Sequence, residues 1–248
     1  MKTVCTAVLG VLLAVGLPST AAADILGTVD ITYSDDAAHD ITQVWGAGNV
    51  GDLTRGGLYQ LGKTAGTGEG DLWPNAHIPA FCIELHEVAP ETMLQYDGVM
   101  PEYVHNSYLG QAIGTAKADY LRELWGRFYD PSWAAGKPYT IEQNIGAEAF
   151  AIAVWEIIYE ELPGNPANWN VTHDNTLGDP GFKADYADLT TANNWLHQLD
   201  GTGPMADLRA FVYDGWQDYL VQVPEPTSIL LLGFGGIVNQ ERKKKATS

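Results

Sequence analysis

The 248-residue chain carries 31 acidic against 13 basic residues, and over residues 24–223 the imbalance sharpens to 29 against 8. Such a surface repels polyphosphate, whose binding depends on Lys and Arg neutralising phosphates, so nucleic acid is excluded as a partner. A composition that is 46% hydrophobic and 10% aromatic supplies the apolar surface that acidic disordered chains lack, so the middle of the chain is expected to fold.

Residues 1–23 begin with Lys2, continue through an apolar run at 8–17, break at Pro18 and finish in Ala21-Ala22-Ala23 before Asp24. This pattern reads as a secretory signal cut after Ala23 by signal peptidase. The run is well short of the ~20 apolar residues that a membrane span needs. Cys5 leaves with the signal, so Cys82 is the one cysteine of the mature chain and no intramolecular disulfide forms.

Residues 24–222 form the exported domain. Between 25 and 87, apolar and polar residues alternate and are interrupted by Gly, Asp and Asn, which predicts short antiparallel strands at 25–33, 41–45, 57–61 and 78–86. Asp35-Asp36 and the stretch 64–70 read as the loops between them. The period then changes, and residues 106–199 are assigned to helices. Tyr108, Ile113, Ala116, Tyr120, Leu124 and Phe128 fit one helix, 141–162 fits a second, and 188–199 fits a shorter third after a loop at 164–187. The second helix has one apolar stripe at Ala147, Phe150, Ala151, Val154 and Ile158 and another at Ile152, Trp155 and Tyr159, which predicts a central, buried helix. Pro163-Gly164 ends it. Residues 208–222 return to strand character. The order strands, helices, strand predicts an α+β fold, a β-sandwich or barrel-like antiparallel sheet with a helical insertion.

Residues 223–248 fall into three consecutive parts: Val223-Pro224-Glu225-Pro226, an apolar run at 227–238, and Arg242-Lys243-Lys244-Lys245. Together they resemble the PEP-CTERM sorting tail of Gram-negative bacteria. The resemblance implies processing by exosortase, a membrane protease-transpeptidase that removes the tail and passes the protein toward the cell surface. The basic cluster would stay cytoplasmic while the domain sits across the inner membrane. Prolines at alternate positions keep the junction extended and open to a protease. The apolar run departs from the pattern in being short and interrupted by Gly233, Gly235 and Gly236.

The chemistry-bearing candidates cluster around Phe81-Cys82-Ile83-Glu84-Leu85-His86. On a strand, Cys82, Glu84 and His86 would share a face, with His77 upstream. Neighbours at i and i+2 lie about 7 Å apart, too wide for one tetrahedral ion, so no metal site is expected. A cysteine nucleophile would need a base brought within reach by the fold, and a lone Cys among apolar residues most often acts as a small buried hydrophobe.

The FCIEL segment, followed by Ala149-Phe150-Ala151-Ile152-Ala153-Val154-Trp155 on the second helix, resembles the two signature segments of bacterial surface thioester domains. In that family a Cys is cross-linked to a Gln of the helix motif. Cys82 matches the thioester cysteine and Trp155 the motif Trp, while Phe150 and Val154 match its hydrophobic positions. Ala151 occupies the Gln position and offers no carboxamide. Gln143, eight residues before Ala151, is about 12 Å away along the helix axis. The expectation is a scaffold related to thioester domains without the cross-link.

The acidic stretch with Asp174, Asn175, Asp179, Asp185 and Asp188 lacks a Ca²⁺-loop pattern and reads as a solvated loop. Glu84 and Glu156 are a further carboxylate pair of the kind that glycoside chemistry uses. The overall expectation is a non-enzymatic exported protein with no cofactor. Signal peptidase and exosortase would process it, it would cross the inner membrane transiently, and it would serve adhesion or matrix assembly with a surface polysaccharide or matrix component as partner. The competing expectation is a covalent thioester adhesin or a hydrolase centred on Cys82.

Overall fold

The computed structural model describes residues 24–172 and 181–225. The fold is α+β: a seven-stranded antiparallel sheet with three α-helices packed on it. Two strands of 20 residues, β1 (Gly27–Gly46) and β2 (Asn49–Gly68), form a hairpin over Ala47-Gly48. Both turn residues have positive φ, 49° and 83°, the backbone twist that a two-residue hairpin loop favours.

Straight strands of this length would reach roughly 65 Å, too far for one domain. Register shifts at Asp30/Ile31, Tyr33/Asp35, Asp36/His39 and Val44/Trp45 bend β1 instead. The first part of β1 pairs with β2 on one side and with β4 (Leu94–Val99) on the other. Pairing continues from β2 to β3 (His77–Cys82), β9 (Trp216–Gln222), β8 (Leu208–Tyr213) and back to β4, so six strands close a ring. Alternation along these strands turns Val29, Ile31, Leu61, Ile78, Tyr96, Phe211, Tyr219 and Val221 into the barrel interior. The distal part of β1 leaves the ring and takes β7 (Lys183–Asp185) as its outer neighbour.

Outside the ring, Leu58, Phe81, Ala210 and Leu220 belong to the larger core shared with the helices. The helix α2 (Ile141–Tyr159) packs against β1 and β2 on one side and against α1 (Thr115–Phe128) and α3 (Leu189–Leu196) on the other. Every residue from Ala147 to Tyr159 is buried, as apolarity around the whole helix predicts. Thr140 and Gln143 form a reciprocal capping box at its start. Among the described residues, no helix is long and apolar enough to cross a membrane. The short strands β5 (His105–Asn106) and β6 (Gln111–Ala112) form a separate hairpin before α1.

Several local expectations are corrected. Asp35-Asp36 lies within β1, because bulges break the alternation there without ending the strand. Residues 64–68 continue β2, β4 and β7 were not anticipated, and 208–222 is a hairpin of two strands turning at Asp214-Gly215. The first helix starts at Thr115, since residues 105–112 form β5 and β6. β3 stops at Cys82, so Glu84 and His86 do not continue its alternating face. The signal segment 1–23, the acidic residues Asp174, Asn175 and Asp179, and the tail residues Pro226, Arg242, Lys243, Lys244 and Lys245 lie outside the described residues.

Candidate functional site

Cys82 ends β3, and the chain then leaves the sheet through Ile83 and Glu84. Three hydrogen bonds anchor that exit. The Trp155 indole Nε1 donates to Cys82 O at 3.0 Å, the Tyr159 hydroxyl accepts Leu85 N–H at 3.0 Å, and Ile83 N–H donates to Asp218 O at 3.0 Å. The two motif residues singled out in the sequence, Cys82 and Trp155, are therefore in direct contact through the Cys82 carbonyl. The Cys82 thiol donates to Glu84 O at 3.2 Å, and burial pushes its pKa up to about 12. A thiol held in this way is a packed hydrophobe rather than a nucleophile.

Ala151 is buried within α2 and offers no acyl group. Gln143 is committed elsewhere: its carboxamide oxygen accepts Thr140 N–H at 2.8 Å, and its NH₂ donates to Ser132 O at 3.0 Å. Glu156 accepts Asn170 N–H at 2.9 Å and is not among the residues that line the cavity with Glu84. Asp188 caps α3 by accepting Thr191 N–H at 3.1 Å, and Asp185 lies on β7. His77 is exposed and lines a different cavity.

Two residues beyond Cys82 the chemistry changes. A turn at Leu85-His86 brings Glu84, His86 and Glu87 together, their ligand-type atoms all within 4.8 Å of one another. They sit beside a cavity of about 650 Å³ that is lined by Glu84, Glu87, Asp97, Asp214 and Asp218 together with His105, Ser107 and Tyr213. Its walls are the outward side of β4, the β8–β9 turn and the segments around 84–87 and 103–107. Ser107 Oγ lies 2.7 Å from His86 Nε2 and fixes the ring at the cavity edge.

Burial raises the Glu84 pKa well above the ordinary carboxyl range, and the neighbouring Asp218 and Glu87 raise it further. Burial likewise pushes Asp218 up to about 8, with Glu87 and Asp214 adding to the effect and the Tyr213 N–H, 2.9 Å from Asp218 Oδ1, opposing it. The arrangement can hold protons or a cation. Glu87 and Asp218 were not foreseen from sequence. Glu87 follows His86 directly and would have been found by allowing a turn after Cys82; Asp218, 134 positions from Glu84, is joined to it only by the β3–β9 pairing.

The sorting-motif residues Val223, Pro224 and Glu225 border a second, mainly apolar groove of about 730 Å³ with Trp73, Trp125 and Tyr129. Trp73 Nε1 donates to Gln222 O at 3.0 Å, and Trp125 Nε1 to Gln222 Oε1 at 2.9 Å, so two indoles clamp the end of β9. No protein-family model matches the chain, and neither a curated protein nor a solved structure matches it.

Proposed function

We propose that the chain is an exported cell-surface or extracellular-matrix protein, processed through a PEP-CTERM and exosortase route, with a non-enzymatic role in adhesion or matrix assembly. The observation that carries this reading is the position of Val223-Pro224-Glu225 directly after the last strand of the sheet. β9 ends at Gln222, Val223 N–H donates to Asp207 O at 2.8 Å, and Glu225 is exposed. Pro224 has no N–H with which to extend the sheet. Val223-Pro224-Glu225 thus follows the last strand directly, with Glu225 exposed, as a junction cut by a protease requires. The domain would be handed over folded, with signal peptidase acting at one end and exosortase at the other.

Against a covalent role for Cys82 stand the buried thiol, the alanine at position 151 and the capping duty of Gln143. The test is the intact mass of the protein released by cells with an active sorting protease, taken with and without thiol alkylation after unfolding. The expected product lacks residues 1–23, ends near Pro226 and carries one alkylatable thiol. Retention of Lys243, Lys244 and Lys245 would overturn the sorting route. A mass short by one ammonia would mean that Cys82 is joined to a carboxamide and that the protein is a covalent adhesin.

A further inference from the structure

We propose that Glu84, His86 and Glu87, with Asp218 beside them, bind a divalent cation of the zinc or manganese class. The three ligand-type atoms lie within 4.8 Å of one another. Ligands about 2.1 Å from a common ion are separated by roughly 3–4 Å, so the cluster needs a contraction of about 1 Å. His86 and Glu87, which are only partly covered, can supply it by side-chain rotation.

The donor set selects the ion. One imidazole nitrogen with two or three carboxylate oxygens suits zinc or manganese, whereas calcium prefers six to eight oxygens and no nitrogen. Two of the carboxylates are deep in the protein: Glu84 is 3% and Asp218 5% exposed. Among the described residues neither makes an ion pair with Lys or Arg. Glu84 lines the cavity beside Glu87 and Asp218, and its carboxyl is hydrogen-bonded to the Glu87 side chain and the Ser107 N–H. Buried carboxylates without a counter-charge are costly, and a dication between them removes that cost. The cavity of about 650 Å³ leaves room for water to complete the coordination and gives the ion a way in.

The supports around the cluster are those of a held site. The Glu84 backbone is fixed on one side by the Cys82 thiol on its carbonyl and on the other by Tyr159 at Leu85. Ser107 Oγ lies 2.7 Å from His86 Nε2, the ring nitrogen that faces Glu87 Oε1 at 4.0 Å, and would give way to an ion bound there. The packed cysteine next to the cavity then has a purpose: it steadies the residue that carries the deepest ligand.

The experiment is isothermal titration of the full chain, stripped with a chelator, using zinc, manganese and calcium chloride in turn. Saturable one-to-one binding of zinc or manganese is expected, weakened at least about tenfold in His86→Ala and in Glu87→Gln. Both substitutions lie at the cavity edge, and thermal melting of each variant establishes that it folds. Absence of saturable binding by zinc and manganese overturns the proposal. So does binding unchanged in the H86A/E87Q double variant, or calcium binding tighter than either. Failure here leaves the processing reading untouched, since that rests on the chain termini.

Discussion

The protein treats Cys82 and Glu84, two residues apart, in opposite ways. Both are buried, and burial raises both pKa values. Cys82 is a poor acid already, so losing water leaves it neutral, donating one hydrogen bond and packing among apolar neighbours. Glu84 would be ionised in water. Burying it beside Glu87 and Asp218 favours the protonated form, and among the described residues no Lys or Arg pairs with it. The contrast separates packing from poised chemistry: the residue that looks reactive in the sequence is inert, and the tension lies in the acids beyond it.

The largest expected effect comes from breaking the sealed side. Trp155 is fully buried and holds the Cys82 carbonyl. Trp155→Ala should cost about 3–5 kcal/mol, read as a shifted denaturant midpoint. Trp155→Phe, which keeps most of the bulk and loses the N–H, should cost nearer ~1–2 kcal/mol. Equal losses in the two variants would mean that the hydrogen bond, rather than the packing, holds the junction.

A third buried acid calibrates burial without a cluster. Glu148 on α2 is pushed up to about 8, by burial first and by Asp40 and Asp188 second, and its Oε1 has no hydrogen-bond partner. A carboxyl whose folded pKa is raised contributes stability fully below its unfolded value of 4.5 and loses that contribution as pH rises through about 8. Glu148→Gln should therefore be more stable than the parent above pH 8, by about 1–3 kcal/mol, with no gain below pH 4.5. Melting curves across that range decide the point, and a gain independent of pH would assign the effect to packing.

The smallest effect is expected at Cys82 itself. Cys82→Ala removes one small buried group and should cost about 1 kcal/mol by chemical denaturation. A loss of several kcal/mol would mean that the thiol does more than fill space.

α2 was legible because its apolar residues surround the helix, but it ends at Tyr159 with an extended Glu160, short of the expected stop at Pro163-Gly164. The barrel was legible only as scattered strands. Bulges in β1 put Asp35 and Asp36 mid-strand, where they imitate a loop, and ring closure depends on β1 pairing with β4, about 65 positions away. Asp214-Gly215, a two-residue turn signal between Tyr213 and Trp216, splits the stretch 208–222 into β8 and β9. The cavity was hidden for a related reason. Alternation extended past Cys82 sets Glu84 and His86 about 7 Å apart on a strand, whereas the chain turns there and gathers them with Glu87.

The clamp on β9 also has a mechanical meaning. A pull on the chain beyond Glu225 acts along the last strand, which lies between β3 and β8 with a ladder of hydrogen bonds on each side. Force in that direction shears both ladders together instead of opening one bond at a time. The Val223 N–H bond to Asp207 O takes the load first, and the two indoles on Gln222 follow. A domain held by its C-terminal end is thus gripped along the direction in which its sheet yields least.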